Sequence, residues 1–187
     1  MILKEIKHRH SPLLFKKKSV SKKILEECVE AARWTPSCYN NQPWKFVLIT
    51  GKKEISALEK VFSVGNHWAL KAPVVGFLVS REEDDCIVES NGLSYFQYDC
   101  GMAMMAFVIQ AEKEGLKSHQ MAGYDEEKVK KQLKIPKGYR VLSAFAMGYE
   151  EELKNYKEEL HPKLRERILS TKRVRKPLNE IYSVNQW

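Results

Sequence analysis

Thr35-Pro36-Ser37-Cys38-Tyr39-Asn40-Asn41-Gln42-Pro43-Trp44 closes an amphipathic helical pattern and leads into an apolar strand pattern. Each proline fixes its own φ and restricts the residue before it, so the connector is expected to hold one extended shape. Ser37, Asn40, Asn41 and Gln42 crowd it with hydrogen-bonding groups, and Trp34 and Trp44 flank it. Two readings fit: a rigid polar edge against which a flat aromatic ligand lies, or a stiff helix-to-strand turn with solvated side chains.

Upstream, Ile24, Leu25, Cys28, Val29 and Ala32 recur at helical spacing, with Ser21 placed to cap the helix and Val20 to staple onto Leu25. Downstream, Phe46–Ile49 reads as a buried strand, Gly51 as a turn, and Lys52–Phe62 as a second helix. Pro73–Val79 and Val141–Met147 read as further strands. The longest helical pattern runs from Gly92 to Glu114. Its middle, Gly101–Ile109, is apolar all round, which predicts a central buried helix with Met104 and Met105 as core fillers and Gly115 as its stop. Asp125 is expected to cap a short helix, and a helical pattern from Glu150 to break near Pro162. Helices and strands without regular βαβ alternation predict an α+β class, and 187 residues suit one domain over 1–187.

The net charge of +8 sits at the two ends: residues 1–23 carry +7 and residues 160–187 carry +5, with −4 between them. Such ends can bind nucleic acid or converge on one phosphate. No basic-aromatic strand pattern or recognition helix supports nucleic acid, and no partner of that kind is expected. No apolar run is long enough to cross a bilayer and the first residues are too charged for a signal peptide, so a cytoplasmic protein without a membrane partner is expected. Cys28, Cys38, Cys86 and Cys100 lie far apart with no C-x-x-C pair, which predicts reduced thiols and no zinc knuckle. His8-x-His10 is the closest histidine pair and lacks a cysteine or carboxylate beside it in sequence, so no metal is expected. No G-x-G-x-x-G or Walker A loop occurs.

Four separated pieces share an order: Arg9-His10-Ser11-x-x-x-Phe15; Pro36-Ser37-x-x-Asn40-x-Gln42-Pro43-Trp44-x-Phe46; Asp99-x-Gly101 leading through Gly115-Leu116 to Met121-Ala122-Gly123; and Arg173-x-Arg175-Lys176-Pro177-Leu178. Over about Ile6 to Trp187 this resembles the flavin-dependent nitroreductase family. The resemblance implies a central mixed or antiparallel sheet flanked by helices, with the long helix at a homodimer interface. It also implies an FMN cofactor, NADH or NADPH as donor, and a small aromatic or quinone-like oxidant reduced in a ping-pong cycle.

Arg9, His10, Ser11, Arg173 and Arg175 supply the donors that a dianionic phosphate wants. Asn40, with a donor and an acceptor, matches the pyrimidine edge of a flavin. The resemblance further places Gln42 and the backbones of Pro36, Ser37 and Cys38 along the ring, and the backbone of Met121, Ala122 and Gly123 near its N5. No side chain is assigned a catalytic role. Leu13 stands where the family often has a third basic residue, and Ala122 where some members carry an acid. The terminal segment to Trp187 is expected to wrap a partner subunit. A specialised flavoenzyme of the same fold, dehalogenase-like, and a non-enzymatic flavin or nucleic-acid binder stand as alternatives.

Overall fold

The computed structural model describes residues 1–90, 92–156, 161–170 and 173–185. The chain divides into two compact units, Met1–Tyr156 and Lys157–Trp187.

In the first unit, a short helix α1 (Lys4–His8) precedes α2 (Lys22–Arg33), whose first turn is capped by Ser21 Oγ accepting the Ile24 N–H at 3.3 Å. Leu25, Cys28 and Ala32 form its buried face, and Val20 joins the same cluster, as helical spacing predicts. Strand β1 (Lys45–Ile49) follows the connector. The expected helix over 52–62 is only α3 (Lys52–Ser56) and a separate 3₁₀ turn at Glu59–Val61. After a further 3₁₀ segment, Val64–Lys71, comes β2 (Val74–Ser80), buried at every residue. A small hairpin of β3 (Ile87–Val88) and β4 (Leu93–Ser94) leads to the long helix α4 (Phe96–Lys113), which starts four residues later than the apolar pattern suggests.

Gly115 stops α4 as expected. With φ +74°, it lets its N–H reach the Glu112 carbonyl at 3.0 Å and the Leu116 N–H reach the Ala111 carbonyl at 2.8 Å, satisfying two end-of-helix acceptors. Strand β5 (Lys117–Met121) then returns along the sheet. Its sequence, Lys-Ser-His-Gln-Met, has no strand-like hydrophobicity, and its pairing with the next strand makes it one. Helix α5 (Glu126–Leu133) is capped by Asp125, whose Oδ1 accepts the Lys128 N–H at 3.1 Å. Strand β6 (Arg140–Gly148) completes a four-stranded sheet of order β1-β2-β6-β5, antiparallel throughout.

Helix α4 lies between this sheet and α2. Phe107 stacks on Phe46 of β1, centroids 4.9 Å apart, and meets Phe145 of β6 edge-on at 5.4 Å. Cys100, Ala103, Met104, Val108 and Ala111 join the same cluster as Cys28 and Ala32 of α2. Phe145 lies over Gly76 so closely that a Cβ there would meet ring carbons at 2.2 Å. The helix is not buried all round, however. Tyr98, Gly101 and Met105 are exposed on one stripe, so Met104 fills the core and Met105 does not.

In the second unit, α6 spans Pro162–Ser170. Pro162 starts this helix rather than breaking one: a proline fits the first helical position, where its missing N–H would have no partner anyway. The segment after Glu150 holds only a 3₁₀ turn at Leu153–Asn155. Among the described residues, no helix is long and apolar enough to cross a membrane.

Candidate functional site

The connector is not extended between its prolines. Ser37 is (φ −147°), but Tyr39, Asn40 and Gln42 all take positive φ, at 46°, 60° and 51°. Left-handed backbone costs a residue with a Cβ about 1–2 kcal/mol, less for Asn. Pro43 disfavours the right-handed helical region at Gln42 but steers it toward extended backbone, so it does not account for the positive φ there. Side-chain bonds hold the connector. Ser37 Oγ accepts the Gln42 N–H at 2.9 Å, and the Gln42 amide nitrogen donates to the carbonyl and Oδ1 of Asn40, both at 3.2 Å. The Cys38 N–H donates to Oδ2 of Asp99 at 2.6 Å, tying the loop to the first turn of α4. Asp99 is 1% exposed. Pro36, Asn40 and Gln42 stay exposed, and the Asn40 side-chain nitrogen has no partner among the described residues. A polar edge is thus built and presented.

The N-terminal segment is laid beside β5 and the end of β6. Phe15 bridges Glu150, the Lys16 N–H reaches the Tyr149 carbonyl at 2.8 Å, and the Pro12 carbonyl lies 2.8 Å from His119 Nδ1 on β5. This explains the departure at Leu13, which is buried in the core and could not present a charge to a ligand. Arg9 donates from Nη1 to Ser11 Oγ at 3.4 Å and has no acidic partner among the described residues. His10 is committed differently. Its Nε2 lies 2.8 Å from Glu150 Oε1 and its Nδ1 3.1 Å from the His8 carbonyl, so an anion must compete with two acceptors for this ring.

Met121 is buried at the end of β5, Ala122 is exposed, and Gly123 follows. The Gly123 carbonyl accepts three bonds, from Ser63 N at 3.0 Å, Ser63 Oγ at 3.1 Å and Asn66 Nδ2 at 3.2 Å. A Cβ on Gly123 would meet Asn66 Nδ2 at 2.5 Å and Ser63 Oγ at 2.7 Å. The approach that requires a glycine here is therefore made by this chain's own side chains. Ser63 and Asn66 carried no sequence signal, since they stand at the start of a 3₁₀ segment about sixty residues before their partner.

Arg173 and Arg175 are exposed in the second unit, where Arg175 Nη1 donates to the Val174 carbonyl at 2.8 Å. Trp187 lies outside the described residues.

The expectation of four reduced thiols is overturned. Cys38 and Cys86 form a disulfide across 48 residues, Cα atoms 6.0 Å apart. The spacing rule failed because it looks for close pairs, and this pair is made by the tertiary fold. Cys28 and Cys100 are free and buried. Burial, then Glu114 and Glu27, push the Cys28 thiol up to about 12, and burial pushes Cys100 up to about 11, so neither is a ready nucleophile.

The model of the Nitroreductase family matches residues 6–67 and 63–149 of this chain. A protein of Archaeoglobus fulgidus, provisionally named NADH dehydrogenase/NAD(P)H nitroreductase, is 24% identical over 165 residues, covering 83% of this chain and 89% of that one. The oxygen-insensitive NADPH nitroreductase of Helicobacter acinonychis is 48% identical over 48 residues, a quarter of this chain (25%) and 23% of its own length. Among solved structures, an oxidoreductase containing FMN superposes with a TM-score of 0.83 at 27% identity, covering 100% of this chain and 93% of that one. A nitroreductase family protein of Clostridium difficile superposes with a TM-score of 0.79 at 22% identity over the full length of both chains, and shares the fold.

Proposed function

Because the chain belongs to the nitroreductase family of NAD(P)H-dependent oxidoreductases, we propose that it is an FMN enzyme passing electrons from NADH or NADPH to nitroaromatics, quinones or similar small oxidants. The observation that carries this reading is the full-length likeness to an FMN-containing oxidoreductase.

The residues present fit the group. A phosphate needs a guanidinium that no carboxylate already holds, and Arg9 beside Ser11 meets that need among the described residues. The ring edge needs a donor facing outward, and the Asn40 amide nitrogen has no partner among the described residues. Arg9 and Ser11 would hold the phosphate. Asn40 and Gln42 with the backbones of Pro36, Ser37 and Cys38 would border the ring, as would Met121, Ala122 and Gly123. Bound FMN supplies two-electron chemistry between donor and oxidant. The chain's part is positioning: internal bonds fix the connector before any ligand arrives, so little ordering is left for binding to drive. No side chain is assigned a proton-transfer role. Donor and oxidant take turns at one site, the order that a ping-pong cycle requires.

The exposed stripe of Tyr98, Gly101 and Met105 on α4, with Ile2, Leu3 and Ile6 at the start of the chain, is the surface we assign to a homodimer.

The test is direct. Purified protein should retain FMN and appear yellow, bleach anaerobically on NADH or NADPH, and recover colour with menadione or nitrofurazone. Double-reciprocal rate plots should be parallel. Protein that neither retains nor binds added FMN overturns the reading.

A further inference from the structure

The disulfide has unusual company. Asp85, next to Cys86, aims its carboxylate so that one oxygen and the sulfurs of Cys38 and Cys86 all lie within 4.8 Å of one another. Adjacency in sequence explains why Asp85 is near Cys86. It does not explain why the carboxylate turns toward both sulfurs, with Oδ2 shut off from solvent and without a hydrogen-bond donor among the described residues. Asn41 Nδ2 reaches Oδ1 at 3.4 Å, a long contact, and the Cys86 sulfur at 3.6 Å.

A second acid faces the same place. Asp99 is buried on α4, and its Oδ2 accepts the Cys38 N–H. A cation at this place relieves the crowding of two carboxyl groups.

The donor set chooses the cation. Two thiolates and a carboxylate oxygen are ligands of Zn²⁺ and similar soft or borderline divalent ions, whereas Mg²⁺ and Ca²⁺ prefer oxygen alone. We propose that Cys38, Asp85 and Cys86 form a redox-gated site for a thiophilic divalent cation of the Zn²⁺ class, closed while the disulfide stands and opened by a dithiol reductant. The exchange balances: the dithiol gives up two electrons and two protons and becomes a disulfide, and Cys38 and Cys86 become thiols. Metal binding then displaces those two thiol protons to solvent. Three protein ligands leave the fourth tetrahedral position to water. In both states the connector stays tethered to residues 85–86, sulfur to sulfur in one and through the cation in the other. The flavin-framing loop thus keeps its anchor through a change of redox state. The metal site itself rests on the side chains alone and not on the flavin reading.

The experiment uses the full chain and Cd²⁺ as probe, with and without added FMN. Protein reduced with dithiothreitol and desalted anaerobically is titrated beside protein left oxidised, and cadmium–thiolate charge-transfer absorption is followed. Reduced wild type should take up about one Cd²⁺ per chain and oxidised wild type none. Asp85→Asn, which trades a charged ligand oxygen for a neutral amide, should weaken uptake by at least the roughly 10-fold seen when an outer-shell partner is lost. A Cys38→Ser/Cys86→Ser double variant, which keeps Cys28 and Cys100, should lose it. Equal uptake by reduced and oxidised wild type overturns the proposal, and that comparison needs no variant to fold. Unchanged uptake by Asp85→Asn removes Asp85 from the site and overturns it as stated. Because FMN retention is scored separately, failure here is distinguishable from failure of the flavin reading.

Discussion

The centre of the sheet and the connector over residues 36–43 are held by opposite means. At the centre, β2 is buried along its whole length and β6 from Ala144 to Gly148, Phe107 stacks on Phe46 and meets Phe145, and Phe145 lies against Gly76. No single directional bond decides that packing; it is contact area. In the connector, the side chains of Pro36, Tyr39, Asn40, Asn41 and Gln42 are exposed, three of its residues sit in left-handed backbone, and a handful of directed bonds with one disulfide hold it. Close-packed burial spreads its energy over many neighbours, so a substitution there is felt by the whole fold. A bonded loop concentrates its energy in few groups, so a substitution is felt at the site and little elsewhere.

The sharpest attempt to break this contrast is Phe107→Ala. It should cost about 3–5 kcal/mol, read as a lower urea midpoint; a loss under about 1 kcal/mol would mean the centre is not close-packed around this ring. Next comes Arg9→Ala, which removes a charged donor from the rim. FMN affinity should fall about 10–100-fold by fluorescence titration while the urea midpoint stays nearly unchanged. A change in stability with no change in affinity would reverse its assignment. Ser37→Ala removes the acceptor of the Gln42 N–H. It should cost about 1 kcal/mol or less in stability and show as faster hydrogen exchange at Gln42.

The smallest effect is a pH dependence away from both regions. Burial raises the Glu126 carboxyl, but bonds from Arg140, the Val141 N–H and Lys130 outweigh it and hold the group down at about 2. A depressed carboxyl stabilises the fold fully above its ordinary value near 4.5 and loses that contribution as pH falls toward 2. Glu126→Gln should therefore cost about 1 kcal/mol at neutral pH, shrinking toward zero between about pH 5 and pH 2 in denaturation profiles. A difference that persists unchanged at pH 2 would make the contribution one of shape rather than charge.

Much of the frame is legible in the sequence. Ser21 and Asp125 as caps, Gly115 as the helix stop and three of the sheet's four strands follow from local rules, because each is decided within a few residues. Strand β5 was not legible, since its identity comes from pairing with β6 and not from its own composition. The polar connector stood out by residue type, but its left-handed turns did not, because no glycine marks them.

By itself, the sequence determined the α+β class, the placement of most elements, the basic ends and the polar loop between prolines, since propensity, periodicity and charge act over short distances along the chain. The tertiary structure alone decided that Leu13 is core, that Ser63 and Asn66 are what crowd Gly123, and that Cys38 meets Cys86 beside two carboxylates. Those contacts join residues tens of positions apart, and only the closing of the sheet and the packing of α4 bring them within bonding distance.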